Sequence, residues 1–113
     1  MTEAEPLPAG AVATLETLLA GPDPVSSALR AQIPYARVAG GCDCGCATLD
    51  LTVDRTAVPP ALAASTPAAE AWYEVPENAG VMVFARDGYL SLLEIYTAGD
   101  PIAAWPEPRF QKR

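Results

Sequence analysis

The sequence predicts an α+β fold in which two N-terminal helices pack on one face of an antiparallel, meander-like sheet of about five strands. Three observations lead to this class: two stretches with apolar residues at helical spacing, a segment of alternating apolar and polar residues, and an Asp-Gly turn between two apolar runs. The chain has 113 residues, of which 50% are hydrophobic and 19% are charged. We therefore expect a flexible leader over residues 1–9 and a single domain over residues 10–113.

The two helices are predicted from stripes of apolar residues at helical spacing and from the residues at the helix ends. Gly21-Pro22 ends the first helix, and Asp23-Pro24 begins the second with an N-cap carboxylate and a proline at the first helical position. Two such short helices need a sheet to bury their stripes. The stripes comprise Val12, Leu15, Leu18 and Leu19 in the first helix, and Val25, Ala28, Leu29 and Ile33 in the second.

Three strand candidates follow the helices, at residues 35–39, 46–54 and 71–75. The second candidate alternates, so we expect one apolar face and one wet face. Residues 55–69 contain three prolines and predict a surface connection, with a helical turn possible over residues 60–65.

The dipeptide Asp87-Gly88 predicts a hairpin over residues 81–96, because its favoured turn geometry matches strand twist. An unbroken register places large apolar side chains on both faces, and it pairs Glu94 with Val81. The predicted pairs are Arg86 with Tyr89, Ala85 with Leu90, Phe84 with Ser91, Val83 with Leu92, and Met82 with Leu93.

Composition excludes several classes of function. Fourteen acidic and seven basic residues give a net charge of −7, which disfavours nucleic acid and anionic membrane surfaces as partners. The chain has no histidine, which removes the commonest general base. We predict no catalytic residue, and the composition favours a protein that is not an enzyme.

Cys42, Cys44 and Cys46 form an unusual cluster among glycines. One interpretation is a zinc site in which a bend gathers the thiolates and Asp43, Asp50 or a second subunit adds a ligand; another is a thiol–disulfide pair. The leading interpretation is that these cysteines are small packing residues, so no cofactor is expected. An odd, closely spaced set is unlike a secreted disulfide framework and favours the cytoplasm.

Glu94, Tyr96, Trp72 and Trp105 are the candidate binding residues. The aromatic side chains could line a ligand pocket, although the alternative is that they fill the core. A third hypothesis is an enzyme built on Glu94 with Tyr96. The tail around Trp105 could dock on a partner as a polyproline segment, or fold back over its own sheet.

Two stretches carry a resemblance: residues 29–51, with the Cys-x-Cys-Gly-Cys segment, and residues 84–96, with the Asp-Gly hairpin. Together they resemble a group of small bacterial, mainly actinobacterial proteins, over about residues 29–106. The resemblance implies no activity, because that group brings none with it. We expect a non-catalytic cytoplasmic module that binds another protein or self-associates as a dimer, with a small zinc or thiol protein as the alternative.

Overall fold

The computed structural model describes residues 5–41, 45–62 and 66–111. This part of the chain forms two helices and six strands, which confirms the α+β class. The helices are α1 (Ala9–Leu18) and α2 (Pro24–Gln32). The strands are β1 (Glu5–Pro6), β2 (Ala36–Gly41), β3 (Leu49–Val53), β4 (Ala69–Trp72), β5 (Ala79–Arg86) and β6 (Tyr89–Thr97).

The sheet is antiparallel, with the strand order β1-β2-β3-β6-β5-β4. It consists of two three-stranded meanders joined through β3 and β6. Strand β1 adds to the predicted number of strands, and it comes from the segment that we expected to be a leader. The β3–β6 ladder is short, pairing Leu49 with Leu93 and Asp50 with Leu92. Beyond Asp50 the two strands separate, and we call the space between them the wedge.

Both helices form where their sequence signals place them. The side chain of Asp23 accepts a hydrogen bond of 3.0 Å from the backbone N–H of Ser26, and the hydrogen bonds from Ser26 lower the pKa of this carboxyl. A 3₁₀ turn over Ile33–Tyr35 follows α2. Leu15 and Leu29 are completely buried, so the predicted stripes face the core. None of the described helices is long and apolar enough to cross a membrane.

Several strand boundaries differ from the predicted ones. Strand β3 keeps the predicted alternation, since Leu51 and Val53 are buried while Asp50 and Thr52 are exposed. Strand β4 covers residues 69–72, so it begins two residues and ends three residues before the predicted range of 71–75. The connection after β3 is not wholly on the surface, because Val58 lies in the core. Residues 60–62 are not helical, and residues 63–65 of the predicted turn lie outside the described residues.

The Asp87-Gly88 turn is confirmed, with φ angles of 55° and 84° that match the mirror-image hairpin geometry. The predicted register is correct only for the first two pairs. Ser91 is then an extra residue in β6, because Ala85 pairs with Leu90 and Phe84 pairs with Leu92. The hydroxyl of Ser91 donates a hydrogen bond of 3.1 Å to the carbonyl of Phe84, across this β-bulge.

Because of the bulge, the two faces of the hairpin carry different side chains from those predicted. Leu93 and Ile95 are buried together with Val81 and Val83 on the core side. Glu94 pairs with Met82 rather than Val81. The surface opposite the helices, which we call the outer face, therefore carries a partly buried set from the hairpin: Met82, Phe84, Leu92, Glu94 and Tyr96.

The C-terminal tail folds back on its own domain. The backbone N–H of Ala47 donates to the carbonyl of Ile102 at 2.7 Å, and Phe110 forms an isolated bridge with Tyr73. The backbone N–H of Gln111 donates to the carbonyl of Trp72 at 2.7 Å, so the tail covers one end of the β4 edge. These contacts favour the interpretation in which the tail packs against its own sheet.

Candidate binding site on the outer face

Three of the four candidate binding residues lie together on the outer face. Trp72 and Tyr96 lie in one cross-strand row, on either side of Gly80. Glu94 lies in the next row, where Met82 separates it from Glu70. Trp105 lies elsewhere: its Cβ is 2.8 Å from the position of a Cβ built on Gly10, next to α1.

Glycine at position 80 determines how the aromatic pair packs. A Cβ at this position would lie 2.5 Å from both Cζ and the hydroxyl oxygen of Tyr96, so the Tyr96 ring rests directly on the backbone of β5. The indole of Trp72 packs nearly at right angles to this ring, with 5.3 Å between centroids and an interplanar angle of 84°. This T-shaped arrangement is favourable for aromatic pairs. Trp72 remains 40% exposed, so the pair is accessible from solvent.

Two carboxylates accompany the aromatic pair. The hydroxyl of Tyr96 donates a hydrogen bond of 2.9 Å to Oε2 of Glu70. Burial, the hydrogen bond to Glu70 and the negative charges of Glu70 and Glu94 raise the pKa of Tyr96 to about 12. Tyr96 is therefore protonated at neutral pH and acts there as a hydrogen-bond donor rather than as a base.

The opposite end of the outer face opens into the wedge. A cavity of about 590 Å³ lies there, between the end of β3 and the bulge in β6. The guanidinium of Arg55 lies 4.7 Å from the centroid of the Tyr89 ring and 3.6 Å from the carboxylate of Asp87. The side chains around the cavity include Asp50, Thr52, Arg55, Phe84, Arg86 and Leu92.

The cysteine cluster is described only in part. Cys42 and Cys44 lie outside the described residues, so the zinc and thiol hypotheses stay predictions. Cys46 is half-buried and borders a cavity of about 530 Å³ together with Trp105. Within residues 5–41, 45–62 and 66–111, no three His, Cys, Asp or Glu residues are grouped so that they could hold a metal ion.

Sequence reasoning did not identify Glu70 and Gly80 as site residues. The signal for Glu70 was its position two residues before Trp72, which places both side chains on one face of a strand. Gly80 lies at the start of an apolar run, and glycine inside a strand often marks a close approach. Neither signal is sufficient alone, because the β4–β5 register decides which residues meet.

The outer face therefore offers an exposed indole, a hydrogen-bonded phenol, two carboxylates and an apolar surface. Such a set binds apolar and cationic groups. No protein-family model, curated protein or solved structure matches the chain in the comparisons with known proteins.

Proposed function

We propose that this chain is a non-catalytic binding module that holds another protein on the outer face of its sheet. The observation that carries the proposal is a contiguous set of apolar side chains on that face, Met82, Phe84 and Leu92, which continues to the exposed Trp72. These side chains lie apart from the hydrophobic core. Large contiguous apolar surfaces on soluble proteins are typical of interaction sites.

Charge supports a protein partner over other partners. The rim of the outer face is acidic on balance: four carboxylates, Asp50, Glu70, Asp87 and Glu94, outnumber the guanidinium groups of Arg55 and Arg86, and the whole chain has a net charge of −7. Such a rim repels nucleic acid and anionic lipid, and it selects proteins with a basic surface. The closely spaced cysteines favour a cytoplasmic setting for this interaction.

The chemistry of the site supports binding over catalysis. The chain lacks histidine. Tyr96, with a pKa of about 12, stays protonated near neutral pH and is a poor general base there. The aromatic and apolar side chains of the face are not catalytic groups, but they provide the contact area on which protein interfaces depend.

Two matched leucine substitutions test the proposal. Leu92→Arg places a charge in the centre of the outer face, and Leu62→Arg makes the same change at a side chain that is 79% exposed in the connection. Partners captured from a lysate of the source cells by the wild type are purified and titrated against each variant. We expect Leu92→Arg to weaken the complex by about thirtyfold or more, since hot-spot losses reach ~2 kcal/mol or more, while Leu62→Arg leaves the affinity unchanged.

Trp72→Ala is the second variant of the outer face, and thermal unfolding verifies that all variants remain folded. Equal binding by the wild type and both face variants would contradict the proposal. Elemental analysis of protein purified without chelator tests the zinc alternative. Stoichiometric zinc would contradict the proposed binding module and show that the chain is a metal protein.

A further inference from the structure

We propose that the Trp72–Tyr96 end of the outer face is a seat for an arginine side chain of a basic partner segment. This inference rests on the proposed function and names the chemistry of the partner. The ligand group is a guanidinium that stacks on the aromatic pair and pairs with the carboxylates of Glu70 and Glu94.

The aromatic pair is held in place before any ligand arrives. The hydroxyl end of the Tyr96 ring rests on the backbone at Gly80, and the hydroxyl is fixed by the hydrogen bond of 2.9 Å to Glu70. The indole of Trp72 packs nearly at right angles to this ring and is itself 40% exposed, so a ligand can reach the aromatic pair from solvent. Ring faces attract cations, and tryptophan and tyrosine do so more strongly than phenylalanine. Because the rings are already ordered, little side-chain entropy is lost on binding.

The carboxylates give the seat its charge. Glu70 and Glu94 flank Met82 in one cross-strand row, so their backbones are about 10 Å apart across two strand spacings. Glu70 uses Oε2 to accept the hydrogen bond from Tyr96, which leaves its other oxygen available as an acceptor. A guanidinium has five donors in a planar fork and can stack and donate at the same time, which an ammonium cannot do equally well.

No cation of the described chain forms an ion pair with these two carboxylates, and this includes the exposed Arg86 and Arg109. Among the described residues, the ion pair found is between Arg55 and Asp87, at the other end of the outer face. Arg30 donates to the carbonyls of Leu19 and Gly21, beside α2. Arg37 donates to the carbonyls of Pro34 and Ala36. The negative charge at the aromatic pair is therefore available to a cation from outside the described chain.

A peptide titration of the full chain tests the inference. The probes are acetyl-Gly-Arg-Gly-amide and the same peptide with citrulline, which keeps the shape of arginine and removes its charge. The signal is the indole N–H resonance of Trp72, assigned by its loss in Trp72→Phe. We expect the arginine peptide to bind with a dissociation constant on the order of 1 mM, and the citrulline peptide to bind about tenfold more weakly.

Two variants that each lose one negative charge distinguish binding at the seat from general attraction of the peptide to an acidic protein. Glu94→Gln removes one carboxylate of the seat, while Glu16→Gln removes an exposed one on α1, away from the outer face. We expect Glu94→Gln to weaken binding of the arginine peptide about threefold and Glu16→Gln to leave it unchanged. A circular dichroism spectrum verifies the fold of each variant.

Two results would overturn the inference: equal shifts by the arginine and citrulline peptides, or equal losses in Glu94→Gln and Glu16→Gln. Concentration-dependent shifts of the Trp72 signal without peptide would also overturn it, because they would mean that a second copy of the chain covers the face. If the peptides fail while Leu92→Arg still breaks the complex with a partner, only this inference is lost. If both fail, the proposed function is lost as well.

Discussion

The amide of Gln32 is the single polar group that we expect to matter most for stability. This side chain is completely buried at the end of α2. Its Oε1 accepts a hydrogen bond of 2.9 Å from the backbone N–H of Leu90. Its Nε2 donates to the carbonyls of Gly88, at 2.8 Å, and of Pro59, at 3.3 Å. One side chain thus joins α2, the connection after β3 and the hairpin at the wedge, where the β3–β6 ladder has ended. We predict that Gln32→Met lowers the free energy of unfolding substantially.

The magnitude follows from what each partner loses. The carbonyl of Gly88 keeps a second hydrogen bond of 2.8 Å from the backbone N–H of Ala61. The N–H of Leu90 has no such substitute, because β3 has already separated from β6. Three lost hydrogen bonds contribute roughly 1 kcal/mol each, and an unsatisfied buried N–H costs another 1–3 kcal/mol, against which Met gains apolar burial. The expected net loss is about 2–4 kcal/mol, or roughly 10 °C in Tm for a domain of this size.

Urea denaturation followed by circular dichroism measures this loss. Gln111→Met is the matched control, because this exposed glutamine also donates to a carbonyl, that of Tyr73, at 2.8 Å. We expect it to cost no more than about 1 kcal/mol. Gln32→Glu distinguishes the contributions of Oε1 and Nε2, because it keeps the oxygen that accepts from Leu90 N–H and loses the donor to Gly88 and Pro59. Its buried carboxyl has a raised pKa, so stability increases as the pH falls and the carboxyl becomes protonated. A free energy of unfolding for Gln32→Met within about 0.5 kcal/mol of the wild type would refute this reasoning.

Three further predictions concern the aromatic residues. Gly80→Ala must displace the Tyr96 ring, so we expect a loss of about 1–3 kcal/mol by thermal unfolding and an altered near-ultraviolet spectrum; an unchanged spectrum would contradict the packing. Glu70→Gln should lower the pKa of Tyr96 from about 12 in an absorbance titration. Because the pKa of Tyr96 in the folded protein is raised above the unfolded value of ~10, this phenol contributes fully to the free energy of unfolding below about pH 10. The contribution is lost as the pH rises toward about 12. Tyr73→Phe removes a buried hydroxyl that makes no hydrogen bond of normal geometry among the described residues, although burial raises the pKa of Tyr73 and Thr14 lies near enough to oppose that rise. We expect a gain of at most about 1 kcal/mol, and a loss would show that Thr14 satisfies the hydroxyl.

The features predicted correctly from sequence are those set by local chemistry. Asp23-Pro24 caps a helix because the carboxylate and the fixed proline φ act within one turn. Asp87-Gly88 forms its turn because both residues tolerate positive φ. The alternation in β3 succeeds because a strand with one wet face has only one favourable orientation.

The features that sequence reasoning missed depend on contacts between distant residues. Strand β1 is two residues long and includes Pro6, so its own sequence carries no strand signal, and it pairs because the edge of β2 is adjacent. The bulge at Ser91 was hidden because adjacent leucines follow it, so either register places apolar side chains on both faces. The candidate site was predicted only in part, because it also depends on contacts between distant residues. Trp72, Tyr96 and Glu94 were identifiable by residue type, whereas the β4–β5 pairing brings Glu70 and Gly80 to them.

The core and the outer face are linked through the bulge at Ser91. In the unbroken register Glu94 would pair with Val81 and share the core side with Tyr96, which would bury a carboxylate at a cost of several kcal/mol. The bulge instead turns Leu93 and Ile95 inward, and each buried side chain contributes about 1.5–3 kcal/mol. The same extra residue turns Glu94 and Tyr96 outward, into line with Met82 and Gly80. Stabilisation of the core thus selects the register that assembles the aromatic and acidic surface, so that the site exists as a consequence of how the hairpin buries its leucines.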